Sequence, residues 1–177
     1  RNSLDANVGG HSNTAVGESS LTSNTEGDRN IAIGQNAMAV NSTGSENVAV
    51  GRSALNANTT ASNNTAIGQE AMRSNTTGIN NTAVGKSALQ ANTTGGYNVA
   101  VGLDSLKSNN SGSNVAVGWS SLSSTTTGNN NVGVGDNVMA ANTTGASNVA
   151  VGALALDANT IADNNTAIGF KAMTANT

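Results

Sequence analysis

The chain has 177 residues, no proline, no cysteine and only three aromatic side chains (Tyr97, Trp119 and Phe170), set against 30 asparagines and 21 glycines. A fully buried Leu or Phe contributes roughly 1.5–3 kcal/mol and small side chains far less, so apolar residues drawn mainly from Ala, Val, Ile, Leu and Met argue against a conventional enzyme core. Seven basic and ten acidic residues give a net charge of -3 with the basic ones dispersed, which leaves no footprint for nucleic acid or an anionic membrane. Charged residues make up 10%, too few for the usual disordered chain. The lack of cysteine removes disulfides and thiolate metal sites and is compatible with an exterior location. No apolar run approaches the roughly 20 residues of a transmembrane helix, so no membrane insertion of this segment is expected.

Read from its start, the chain opens on a partial unit at residues 1–12 and then repeats itself. Gly17, Gly34, Gly51, Gly68, Gly85, Gly102, Gly118, Gly135, Gly152 and Gly169 follow one another at intervals of 17 residues, with one interval of 16 between Gly102 and Gly118. A fixed short period is the signature of a solenoid, so residues 1–177 read as a single repeat domain of ten units, the last truncated. The chain begins at Arg1 and stops inside a repeat, which reads as a fragment of a longer fibre. Residues 81–95 (Asn-Thr-Ala-Val-Gly-Lys-Ser-Ala-Leu-Gln-Ala-Asn-Thr-Thr-Gly) show the unit. The short copy reads as having lost one residue after Gly112, in the variable linker.

Within each unit, Asn-[Thr/Val]-Ala-[Val/Ile]-Gly is short, β-branched and closed by glycine, the pattern of a strand and turn. Asn-Thr-Thr-Gly is poor helix material, which argues against a helical hairpin. Each copy is therefore expected to form one coil of an all-β, parallel β-solenoid or β-roll of about ten 17-residue coils. At about 4.7–4.9 Å per coil the rod is on the order of 45–50 Å long. Val or Ile before the glycine, and Leu or Met four residues after it, occur in all ten copies; these two columns are expected to supply a continuous core stripe.

Asparagine forms two columns. The first strand position is held by Asn13, Asn30, Asn47, Asn64, Asn81, Asn98, Asn114, Asn131, Asn148 and Asn165. A second column runs Asn7, Asn24, Asn41, Asn58, Asn75, Asn92, Asn109, Asn142, Asn159 and Asn176, interrupted only by Thr125. Stacked amides bond to the copies above and below, so both columns read as ladders that fix register. Basic residues, aromatics, His11 and every acid except Glu26 fall at variable positions, which are expected to face solvent. The strand is different: residues one and three before the glycine share a face and are both aliphatic in six copies, while the alanine between them is also apolar. A strand apolar on both faces needs cover on both, and one thin coil supplies one, so a second chain is expected on the other.

No catalytic, metal or cofactor site is expected. His11 is a lone loop histidine; Asp104, Asp136, Asp157 and Asp163 do not recur at one position; the glycines follow the period and form no phosphate-binding motif; no base is placed to activate a Ser or Thr. Sequons at Asn41, Asn58, Asn75, Asn92 and Asn142 read as products of the repeat. The candidate surface contacts are Trp119, Tyr97, Phe170 and His11, with Leu103 and Ile79. An alternative from a different class is ice binding through a threonine rank at Thr59, Thr76, Thr93, Thr126, Thr143 and Thr160, broken by Ser42 and Asn110.

Asn-Val-Ala-Val-Gly at 47–51, 98–102, 114–118 and 148–152, and Asn-Thr-Ala-Ile-Gly at 64–68 and 165–169, resemble the repeats of YadA-like heads in trimeric autotransporter adhesins. The resemblance spans essentially the whole chain. It implies a left-handed parallel β-roll that trimerises through its strand face, lies outside the cell and binds matrix or host surfaces. The present unit is longer than is typical of those heads and carries an added Asn-Thr-Thr-Gly arm. That longer unit also looks like repeats of phage tail-fibre proteins, whose shafts or tips are trimeric. The expectation is thus a structural and adhesive segment of an extracellular trimeric fibre on a cell or virion, a homotrimer whose partner is a host-surface protein or glycan; the alternative is a phage tail-fibre receptor-binding shaft.

Overall fold

The structure, a computed structural model, describes residues 2–174. Ten three-residue strands follow one another: β1 (Thr14–Val16), β2 (Ile31–Ile33), β3 (Val48–Val50), β4 (Thr65–Ile67), β5 (Thr82–Val84), β6 (Val99–Val101), β7 (Val115–Val117), β8 (Val132–Val134), β9 (Val149–Val151) and β10 (Thr166–Ile168). Each pairs in parallel with the next, giving one ten-stranded sheet in sequence order. Ala49 lies opposite Ala66, and Val99 opposite Val115, so the sheet keeps register even across the 16-residue interval. The chain is an all-β, parallel β-solenoid of about 17 residues per coil.

The strands are short because glycine ends them. The glycine after each strand has φ between 123° and 143°, a region that L side chains rarely adopt. A Cβ on Gly118 would sit 2.2 Å from the Gly135 carbonyl oxygen in the next coil, so the close approach of coils also demands glycine there. Two tight turns follow. In the unit at Gly85, the Ala88 N–H donates to the Gly85 carbonyl (3.3 Å) and the Asn92 N–H to the Leu89 carbonyl (3.1 Å).

These turns put ordinary residues into left-handed backbone, as at Ser87 (φ 57°), Leu89 (φ 52°) and Tyr97 (φ 62°). Among the described residues, thirty-one non-glycine residues share that sign of φ, each at a cost of roughly 1 kcal/mol or more. The cost is offset by stacking, since the same residues bond to neighbouring coils. Ser87 N–H donates to Gln69 O in the preceding coil (2.9 Å), and Leu89 N–H donates to Ser105 O in the following one (3.0 Å). A single coil would keep the strain and lose these bonds, so the fold exists only as a stack.

The interior corrects one expectation. Leu21, Met38, Leu55, Met72, Leu89, Leu106, Leu122, Met139 and Leu156 are fully buried, but the Val/Ile column before the glycine is not in the core. In a strand of three residues only the middle one points inward, and that one is Ala32, Ala49, Ala66, Ala83, Ala100, Ala116 or Ala150, all fully buried. The coil is too thin for a larger side chain there, because Leu or Met reaches across from the opposite wall. Where the middle residue is Gly133, the usual alanine before the Leu/Met is replaced by Val138: a Cβ on Gly133 would lie 3.0 Å from Val138 Cγ1. The valine fills the space the missing methyl leaves.

The position of the missing residue is also corrected. Ser111, not Gly112, stands beside Gly95, and Gly112 stands beside Gly96, so the residue is lost between Asn110 and Ser111. In regular coils one carbonyl in the arm accepts two N–H groups from the coil before, as Thr93 O does from Thr76 (2.9 Å) and Thr77 (3.1 Å). In the short coil the Asn110 side chain takes that part: its Oδ1 accepts from Thr93 N–H (2.8 Å) and Thr94 N–H (3.1 Å). A side-chain carbonyl thus replaces a main-chain one and allows the deletion.

Candidate functional site

The outward face of the strands is the one surface on which the repeat places the same chemistry in every coil. Residues before the glycine (Val16, Ile33, Val50, Ile67, Val84, Val101, Val117, Val134, Val151, Ile168) and two positions earlier (Thr14, Ile31, Val48, Thr65, Thr82, Val99, Val115, Val132, Val149, Thr166) all point away from the core. Sixteen of these twenty are aliphatic and none is charged. Ile67 is 40% exposed and Val134 37% exposed, although each lies in a strand paired on both sides. A parallel sheet covered on one side only, with a continuous apolar row on the other, departs from the usual burial of such sheets on both faces.

The candidate contact residues divide into one group and two outliers. Leu103 and Trp119 follow the glycines that end β6 and β7 and stand on successive coils, linked by Ser120 N–H donating to Leu103 O (2.9 Å). Tyr97 precedes β6, with its N–H on Ile79 O (3.0 Å). All four side chains are exposed, Trp119 to 53%. They flank the outward strand face at the short coil. His11 and Phe170 lie at opposite ends of the stack and do not join them. His11 donates its main-chain N–H to Asp28 Oδ1 (2.7 Å), and Phe170 has Lys171 Nζ 5.4 Å from its ring centroid.

The two asparagine columns use different bonds. In the first, each side-chain oxygen accepts the main-chain N–H of the next asparagine, from Asn30 on Asn13 (2.9 Å) through Asn114 on Asn98 (3.0 Å) to Asn165 on Asn148 (2.9 Å). The amide nitrogen of most members donates to an arm carbonyl of the following coil, as Asn64 does to Gly78 O (2.9 Å). In the second column amide meets amide: Asn41 Nδ2 donates to Asn24 Oδ1 (2.7 Å), Asn58 to Asn41 (2.8 Å), Asn75 to Asn58 (3.1 Å) and Asn92 to Asn75 (3.0 Å). Asn176 lies outside the described residues. Because these asparagines are fully buried, the sequon members Asn41, Asn58, Asn75, Asn92 and Asn142 are closed to a glycosylating enzyme in the folded chain.

Hydroxyl groups are also committed to the stack. In the threonine rank, Thr59, Thr76, Thr126 and Thr143 donate Oγ1–H to the carbonyls of Thr76, Thr93, Thr143 and Thr160 (3.0–3.2 Å), and Thr93 donates to Asn110 Oδ1 (2.8 Å). Buried Ser105 and Ser121 donate to Ala116 O and Gly133 O (3.1 Å each). Sequence reasoning gave no role to these serines or to Asn110, although each replaces the consensus residue at its position. Ion pairs such as Arg29–Glu46 (3.1 Å) and Arg52–Glu70 (3.3 Å) link adjacent coils on the exposed surface, where such pairs add about 0–1 kcal/mol. Comparison with protein-family models, curated proteins and solved structures returns no match.

Proposed function

We propose that this chain is a stiff structural and adhesive segment of an extracellular trimeric fibre, in which copies pack by their outward strand faces and present variable side chains to a host surface. The observation that carries the reading is the uncharged outward face, aliphatic at sixteen of its twenty positions and threonine at the other four, of a sheet whose inner face is already filled by alanine and Leu/Met. Its in-register repeat suits a partner with the same period, which a second copy of the chain has by construction. The variable positions lie outside the core, so they can change without disturbing the stack. Three chains then offer each contact group three times, which converts weak contacts with a host protein or glycan into firm attachment. An adhesin head and a tail-fibre shaft share this physics.

The threonine-rank reading is less well supported, because most of that rank directs its hydroxyl protons into carbonyls of the next coil. The test of the fibre reading is light scattering at micromolar concentration together with binding to immobilised host-surface proteins and glycans. The expected result is three times the 17.4 kDa chain mass and saturable binding. A 17.4 kDa monomer with full β signal and cooperative melting would sink it.

A further inference from the structure

The second asparagine ladder is continuous from Asn7 to Asn92 and again between Asn142 and Asn159, and it is broken in between. At the short coil, Asn109 Nδ2 keeps the arm-carbonyl bond that other ladder members make, here to Ser111 O (2.9 Å), but makes no bond to Asn92. Asn109 Oδ1 is taken by Ser111 Oγ and Asn114 Nδ2. Asn92 Oδ1 is consequently buried with no hydrogen-bond partner. One coil further on, Thr125 stands where the ladder asparagine belongs, and its Oγ1 is likewise buried without a partner. Both orphaned atoms lie on the arm side of the rod. On the strand side nothing is interrupted: β6 pairs with β7 and β7 with β8 in register, and Asn114 N–H still bonds to Asn98 Oδ1.

We propose that the stretch from Asn92 to Asn142 is a joint in the rod, at which the arm side opens locally while the strand side holds as the hinge. In a stack, stability is the sum of contacts between neighbours, so successive weakened contacts divide it into blocks that open separately. The weakness falls in the arm and leaves the pairing of β6 with β7 and of β7 with β8 intact. Opening there leaves that face and its neighbours Leu103 and Trp119 in place. The joint concerns contacts within one chain and does not depend on the fibre reading.

Hydrogen exchange read by mass spectrometry on the intact protein in its native assembly tests this. The amides of Thr93, Thr94, Asn110, Thr126 and Thr127 are expected to exchange at least tenfold faster than the equivalent arm amides of Ser42, Thr43, Thr76, Thr77, Thr143 and Thr144. Strand amides of β6 to β8 are expected to match those of β3 to β5. Thr125→Asn restores a carboxamide to the column and is expected to slow the arm amides about it at least fivefold. Asn58→Thr, which breaks the ladder in a regular coil, is expected to speed exchange at Ser42, Thr43 and Thr76. Should Asn58→Thr fail to fold, wild type and Thr125→Asn still decide the matter. Arm protection that is uniform within twofold along the rod, a Thr125→Asn rate equal to wild type, or strands that open together with the arms would each overturn the proposal.

Discussion

Placing a charge on the outward strand face separates what holds one chain together from what joins several. Val134→Lys is the most informative change, because Val134 is 37% exposed in a strand paired on both sides and its side chain has no place in the core. Burying a Val or Ile fully is worth roughly 1.5–3 kcal/mol, so covering the exposed third of such a side chain contributes about 0.5–1 kcal/mol. Sixteen aliphatics on this face then supply on the order of 10 kcal/mol per chain, comparable to the roughly 4–15 kcal/mol lost on association. An unpaired lysine on each chain costs several kcal/mol once covered, which is enough to reverse that balance. In a lone chain the same lysine stays in water. The expected outcome is loss of the assembly by light scattering, with the β signal kept. Val134→Thr is the control, since Thr14, Thr65, Thr82 and Thr166 already occupy the same face; it is expected to remain assembled. The reasoning is refuted if Val134→Lys keeps the wild-type mass and melting temperature, which would mean that no chain covers this face.

Two further substitutions test the interior. Asn110→Leu removes the acceptor shared by the Thr93 and Thr94 N–H groups and the Thr93 hydroxyl, and is expected to destabilise the chain by about 1–3 kcal/mol in urea unfolding; no measurable change would show that water serves these donors equally well. Gly133→Ala overpacks against Val138, and Val138→Ala leaves a void, so each is expected to cost about 1 kcal/mol or more. The double variant rebuilds the alanine pair of the other coils and is expected to recover most of that loss; simple addition of the two costs would refute the compensation.

The fold was legible because the period left little choice: a glycine every 17 residues with one interval of 16, a triplet with β-branched residues about a small one before it, and asparagine at two places in the unit specify a stacked coil before any contact is known. Which apolar column faces inward was not legible from apolarity, since Val/Ile and Leu/Met are both present in every copy. The deciding signal was size. The middle strand residue is Ala in nine copies and Gly in one, never larger, as a wall that faces Leu or Met across a thin coil requires. The deletion was misplaced for a related reason. Asn109-Asn110-Ser111-Gly112 imitates the Asn-Thr-Thr-Gly arm, and it is the place of Ser111 beside Gly95, with the bonds its carbonyl accepts from Asn98 and Asn109, that shows Ser111 in the place of the arm glycine. The candidate contact face was half legible: sharing of one face by alternate strand residues follows from the pleat, but which face the coil itself would fill depended on the size argument.

The same features explain why variation gathers where it does. A coil with left-handed backbone at three ordinary residues has little stability of its own and borrows it from bonds along the rod axis. Any change that keeps those bonds is tolerated, including the loss of a whole residue when an asparagine side chain supplies the missing carbonyl. A change that breaks them weakens only the adjoining contacts, because each coil touches its neighbours alone. The outward strand face obeys a stricter rule, since it is aliphatic or threonine in all ten copies although nothing within the chain covers it. The proposed packing of copies by this face accounts for that restriction, because a charge in any one coil would then be buried in every chain of the assembly.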